Sequence, residues 1–188
     1  MSKKMNFRIL IFFLLLFNLS YSQTKSSLIC KKVDEFTDEV NYTTIDYIIN
    51  YEDGGDMSSE GMTFSVLIIE QKGRIVINGL YVKVYGIKGC VDKGSTLDIL
   101  FENGEKTQLV NLYKFDCEGK NLFRLNNEQL DLLKSSSVKG FKYTNKRNYD
   151  TMISKNNLDD KAKNYIKNTL LEVDKVNSGE VIIGICED

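Results

Sequence analysis

Two short runs, Arg74-Ile75-Val76-Ile77 and Leu80-Tyr81-Val82-Lys83-Val84, stand on either side of Asn78-Gly79. Aliphatic residues recurring at every second position mark a strand with one face buried. Here the aliphatic phase is odd-numbered before the dipeptide and even-numbered after it. A two-residue Asn-Gly turn, in which both residues need positive φ, produces that switch. It pairs Ile77 with Leu80 and Ile75 with Val82 and sets all four on one face, whereas a single regular strand scatters them. The predicted element is therefore a β-hairpin turning at Asn78-Gly79, with antiparallel structure organising the middle of the chain.

The same device recurs at Asn103-Gly104, between Leu97-Asp98-Ile99-Leu100-Phe101-Glu102 and the segment 106–115. In that register Leu97 faces Val110 and Ser95 faces Leu112. Upstream, Met62, Phe64, Val66 and Ile68 alternate with Thr63, Ser65, Leu67 and Ile69, and a turn at Gln71-Lys72-Gly73 leads on into Arg74. Segments 42–51 and 27–33 add further strands, the latter at an edge. The period then changes. Residues 127–133 read as a short helix capped by Asn126 or Asn127, and 138–144 return to strand. Leu158, Ala162, Tyr165, Ile166, Leu170, Val173 and Val176 form a helical stripe. Asp159 and Asp160 suit its positive N-terminal end, and Ser178-Gly179 its stop. A last apolar segment covers 181–186. The predicted fold class is α+β, a mainly antiparallel β-meander sheet of about six to eight strands, with one short helix and one longer C-terminal helix packed on it.

The first 22 residues carry a different message. Lys3, Lys4 and Arg8 precede the uncharged apolar run 9–17, and Ser20 and Ser22 occupy the −3 and −1 positions before Gln23. Basic, apolar and small-x-small parts in that order are those of a cleavable signal peptide. The run is about half the roughly 20 residues a spanning helix needs, and no cysteine stands directly after the cleavage site to take a lipid, the first being Cys30. The expected product is one α+β domain, 23–188, that is periplasmic or secreted and has no membrane span after cleavage. Loss of the leader's three basic residues leaves 22 Lys+Arg against 26 Asp+Glu. That mild acidity argues against nucleic-acid binding.

Absences bound the chemistry. The chain has no histidine, which removes Ser-His-Asp and Cys-His catalysis, imidazole metal ligation and imidazole pH switching. It has no tryptophan, although ten tyrosines remain, and no proline. Four cysteines, Cys30, Cys90, Cys117 and Cys186, allow three connectivities in an oxidising compartment. A turn at Asn103-Gly104 pairs residues whose numbers sum to 207, as 90 and 117 do. That favours Cys90–Cys117 if the ladder runs past Asp92-Lys93-Gly94, and leaves Cys30 with Cys186 to tie the ends. Free thiols are the alternative; the spacing is too scattered for zinc.

Three stretches invite a functional reading. Asp53, Asp56 and Glu60 lie in a Gly-rich acidic segment that could wrap a hard cation such as calcium, but the spacing is not that of an EF-hand, and an ordinary exposed turn uses the same residues. Lys139, Lys142, Lys146 and Arg147 interleave with Phe141, Tyr143 and Tyr149, a basic and aromatic surface that could hold an anionic chain. The same pattern describes an edge strand protected by lysines, with Lys139, Phe141 and Tyr143 on one face. Ser136-Ser137-Val138-Lys139 matches S-x-x-K, without the S-D-N and K-T-G partners of that chemistry. Asn41-Tyr42-Thr43 is a glycosylation sequon in a eukaryotic source.

The run Asp34-Glu35-Phe36-Thr37-Asp38-Glu39 resembles a D-E-F-T-x-E segment found after the first, cysteine-bearing strand of small exported proteins of Gram-negative bacteria, a group without an assigned activity. Leu130, Leu133 and Val138-Lys139-Gly140-Phe141-Lys142 are similar to the closing helix and strand of that group. The resemblance implies a cell-envelope or secreted setting and assigns no catalytic or binding residue. Read physically, D-E-F-T is a turn with one buried phenylalanine. The functional expectation is a non-enzymatic binding or accessory domain with no cofactor and no metal, acting on a protein or envelope partner. The alternatives are a carboxylate-dependent hydrolase, or an inhibitor or immunity protein presenting the loop 51–61.

Overall fold

The structure is a computed structural model and describes residues 24–37, 39–50, 61–86, 90–154 and 158–186. The strands are β1 (Thr24–Val33), β2 (Val40–Thr44), β3 (Tyr47–Asn50), β4 (Gly61–Gln71), β5 (Arg74–Tyr85), β6 (Thr96–Phe101), β7 (Lys106–Val110), β8 (Lys120–Phe123), β9 (Val138–Thr144), β10 (Thr151–Ile153) and β11 (Val181–Ile185). Helix α1 (Asn127–Ser135) lies between β8 and β9, and helix α2 (Asp160–Ser178) between β10 and β11. The α+β class and the predominance of antiparallel pairing agree with the sequence reading. The single meander does not. The described strands form three sheets, ordered β11-β1-β2, β10-β9-β6-β7 and β3-β4-β5-β8, and β1 with β11 is a parallel pair. Strand β1 is accordingly central in its sheet rather than an edge.

Asn78-Gly79 is not a turn. The chain turns six residues earlier, at Lys72 (φ 54°) and Gly73 (φ 76°), where Gln71 pairs with Arg74. Positive φ at both residues of a two-residue loop matches the right-handed twist of the strands it joins. Strand β5 then runs straight through Asn78-Gly79. Leu67 of β4 pairs with Gly79 and Ile68 with Ile77, so Asn78 is an extra residue, a β-bulge. A bulge shifts the alternation by one residue, as a hairpin does. Ile77 and Leu80 therefore still face the same side, opposite Ile68 and Val66. Gly79 is required by β8, which pairs along the other edge of β5: a Cβ at this position would meet the Phe123 carbonyl oxygen at 2.3 Å.

The second Asn-Gly site is a hairpin, shifted by one residue. Thr96 pairs with Val110 and Leu97 with Leu109. The expected Leu97–Val110 and Ser95–Leu112 pairs are absent, and Ser95 exchanges backbone bonds with Asn111. The loop has three residues because the Phe101 and Glu105 backbones pair, with Gly104 at φ 88°. A three-residue loop of this kind needs a left-handed residue in that place. Helix α1 is longer than expected; Asn126 is its N-cap, forming a reciprocal capping box with Gln129.

Helix α2 touches strands of all three sheets. Ala162, Tyr165, Ile166, Leu170 and Val173 from the expected stripe are buried, together with Thr169. Its N-cap Asp159 accepts a hydrogen bond from the Ala162 N–H and another from the Tyr47 hydroxyl. Tyr47 stacks on Tyr165, with centroids 5.3 Å apart, and the Tyr165 hydroxyl donates to the Ile45 carbonyl between β2 and β3. At the other end the Asn177 amide accepts from the Ile75 N–H (3.1 Å) and donates to the Ile75 carbonyl (2.8 Å), as a neighbouring strand would. Thr44 joins β2 to β4 by accepting from the Val66 N–H at 2.8 Å.

Two predictions follow from these contacts. Gly79→Ala should destabilise the protein by about 2–3 kcal/mol, because the backbone of β8 cannot retreat from the new methyl group. Gly73→Asn, at a turn with open space around it, should cost under ~1 kcal/mol. Chemical denaturation of the two variants checks the contrast. Burial pushes the Tyr165 hydroxyl up to about 12 from an ordinary 10.0. The folded chain thus keeps this proton to higher pH than the unfolded chain, so the stabilisation is complete below about pH 10 and lost as pH rises towards 12. Tyr165→Phe should lower stability at neutral pH by about 1 kcal/mol and give a shallower decline above pH 10. An alkaline profile parallel to wild type would contradict this assignment.

Candidate functional site

Both disulfides form, in the pairing that residue numbering suggested. Cys30 joins Cys186, and Cys90 joins Cys117. The route to the second pairing was only partly right. The hairpin register sums to 206, as in Leu97 with Leu109, and one residue more in 112–115 than in 92–94 restores 207 at the isolated Val91–Asp116 bridge. Two disulfides fit an oxidising compartment. Cys30–Cys186 spans 156 residues and closes the parallel pair of β1 with β11; constraining so long a loop contributes about 5 kcal/mol in the chain-entropy account.

The proposed basic and aromatic surface separates into three parts. Tyr143 is none of it: the side chain is fully buried, and its hydroxyl donates to Asn121 Oδ1 at 3.0 Å. Burial raises its pKa, with hydrogen bonding to Ser95 and Asn121 opposing that rise. A bulge accounts for the error about the shared face. Leu100 pairs with Gly140 and Phe101 with Val138, leaving Lys139 as the extra residue, turned outward while Phe141 and Tyr143 point to the core.

Lys139 and Lys142 belong to the first exposed part. Alternation along β6 sends Leu97, Ile99 and Phe101 inward and leaves Asp98 and Leu100 on the outer face. Leu100 lies between Lys106 of β7 and Gly140 of β9, and Asp98 between Gln108 and Lys142. Because Gly140 has no side chain, nothing from β9 covers Leu100. The result is a groove of about 560 Å³ with Leu100 and Gly140 at its centre and Asp98, Lys106, Gln108, Lys139, Lys142 and Ile153 around it. Gln108 donates to Asp98 at 2.7 Å. Among the described residues none of the three lysines has an ion pair, while Lys120, Lys134 and Lys163 each do. Lys106 was not singled out from the sequence, where it is one lysine after a turn; only the pairing of β7 with β6 brings it beside the others.

Lys146 and Arg147 lie at the far end of β9, in the turn 145–150. Arg147 sits over the Phe115 ring at 4.9 Å and Lys146 over the Tyr149 ring at 5.8 Å. Beneath them is a buried polar network. Asn145 accepts from the Arg147 N–H and donates to the Cys90 carbonyl. Asn111 accepts from Tyr113 and Leu122 N–H groups and donates to the Asp92 and Tyr113 carbonyls. Buried amides bonded on both their oxygen and nitrogen hold irregular loops in place.

The remaining candidates resolve simply. Asp53, Asp56 and Glu60, the loop 51–60 and the segment 1–22 expected as a signal peptide lie outside the described residues. Among those described, no three His, Cys, Asp or Glu side chains gather as a metal site, and no helix is long and apolar enough to cross a membrane. Ser136 is the C-cap of α1 and accepts from the Asn103 amide, and Lys139 is on a strand, so the helical S-x-x-K geometry is absent. Asp34 accepts from the Phe36 and Thr37 N–H groups, which lowers its pKa, and forms the expected turn. Phe36 is 97% exposed, not buried. The chain matches no known protein family, no curated protein and no solved structure.

Proposed function

We propose that this protein is an exported, non-catalytic recognition domain of the cell envelope, and that the groove on the outer face of the β10-β9-β6-β7 sheet holds an acidic segment of a protein partner. One observation carries the reading: three lysines that form no ion pair among the described residues surround an apolar floor at Leu100 on a chain whose overall balance is acidic. Charges left without partners around a concave apolar surface are complementary to carboxylates on an extended ligand. The one carboxylate of the groove, Asp98, is engaged by Gln108, so the converging acids that a carboxylate hydrolase needs do not support that alternative. The signal-like leader and the resemblance to exported envelope proteins support the setting, as do the two disulfides.

A hexaglutamate peptide titrated into the isotope-labelled mature protein tests the assignment by NMR. Saturable shifts should be confined to amides of β6, β7 and β9 around Leu100 and Gly140, and should weaken as salt is raised. Lys106→Glu with Lys142→Glu should reduce affinity at least about tenfold, equivalent to roughly 1.4 kcal/mol. Shifts spread over lysines across the whole surface, or no saturable shifts, would contradict the reading.

A further inference from the structure

The second exposed part of the basic and aromatic surface has a different shape and chemistry. Tyr149 is 68% exposed and Phe115 56% exposed, and neither borders the groove. Both project from loops at the corner stapled by Cys90–Cys117, and Arg147 links the two loops by lying over Phe115. Tyr149 also has φ 60°. A bulky aromatic in the left-handed region is an outlier at a position that glycine or asparagine occupies without strain. The turn enforces it: the Tyr149 N–H bonds to the Asn145 carbonyl, the Asn145 N–H to the Asp150 carbonyl and the Lys146 N–H to Ser95 Oγ. The turn's bonds at this position use the Tyr149 backbone and do not require its side chain, so the strain points to use of the ring.

From this corner we infer a second activity, independent of the groove: it docks the protein on an anionic membrane interface, with Tyr149 and Phe115 entering the headgroup layer and Lys146 and Arg147 meeting its negative charge. The rings stand out from turns instead of lining a cavity, which suits an interface that yields to protruding side chains. Amphipathic aromatics paired with long cationic side chains are the anchors of such interfaces. Of the acids in these loops, Glu118 is paired with Lys120, while Asp92, Asp116 and Asp150 accept local hydrogen bonds, from the Lys93 backbone N–H, the Glu118 and Lys120 backbone N–H groups and the Asn148 amide respectively. Lys114, beside Phe115, adds to the positive charge of the corner.

The test is co-sedimentation of the mature, oxidised protein with vesicles of phosphatidylglycerol and phosphatidylcholine, compared with phosphatidylcholine alone. The protein should pellet with the anionic vesicles only, and Lys146→Glu with Arg147→Glu should lower partitioning at least about tenfold. Tyr149→Gly separates function from folding: it should lose vesicle binding while raising Tm by about 2–4 °C, because glycine relieves the strained φ. Equal pelleting with both vesicle types would overturn the proposal, as would unchanged vesicle binding by Tyr149→Gly. Binding of a soluble acidic glycan through these residues, with no vesicle binding, would also overturn it and assign the corner to a polysaccharide.

Discussion

The pairing of β4 with β5, with Asn78 as its one extra residue, is the contact on which the rest of the molecule depends. By stepping the alternation once, it lets a twelve-residue strand keep Ile75 at one end and Leu80, Val82 and Val84 at the other on the core side. It also places Gly79 where the β8 backbone arrives. Strand β8 in turn carries Asn121, whose amide donates to the Val82 and Gly119 carbonyls and accepts from Tyr143 of β9. A single run of interactions thus leads from the bulge through β8 to the second sheet. Strand β9, held in this way, supplies residues to the groove at one end and leads into the stapled corner at the other.

Helix α2 and the two disulfides complete the framework at its periphery. The helix is fixed at both ends by polar side chains, Asp159 with Tyr47 at its start and Asn177 with Ile75 near its end, while its apolar stripe meets all three sheets. The parallel β1–β11 pair brings the end of the described chain beside its start, and Cys30–Cys186 holds it there. Cys90–Cys117 acts more locally, beneath loops that have buried asparagines in place of a ladder. The corner can therefore sustain a strained Tyr149 because its support is covalent and hydrogen bonded through buried asparagines, whereas the groove relies on regular sheet.

Much of this was legible in the residues, and the failures have definite causes. Alternation located β4, β5, β6 and β9, and the 3.6-residue stripe located α2, since burial of one face imposes those periods directly. The parity switch at Asn78-Gly79 was real, but a hairpin and a bulge both change parity. What decides between them is the Phe123 carbonyl against Gly79, a contact 44 positions away in sequence. At Asn103-Gly104 the turn was right and its length wrong by one, because a left-handed glycine can close a two- or a three-residue loop. Lys139 and Tyr143 seemed to share a face only because a second bulge was invisible. The groove was half legible for the same reason: Lys139 and Lys142 are neighbours in sequence, whereas Lys106 joins them through strand pairing.

The central claim is that β5 is one continuous, bulged strand rather than a hairpin, and cross-strand nuclear Overhauser effects test it most directly. The account predicts contacts between Val66 and Leu80 and between Ile68 and Ile77, with Lys72-Gly73 as the turn. Contacts pairing Ile77 with Leu80 and Ile75 with Val82 as facing residues, together with loss of the Val66–Leu80 contact, would restore the hairpin and contradict the architecture.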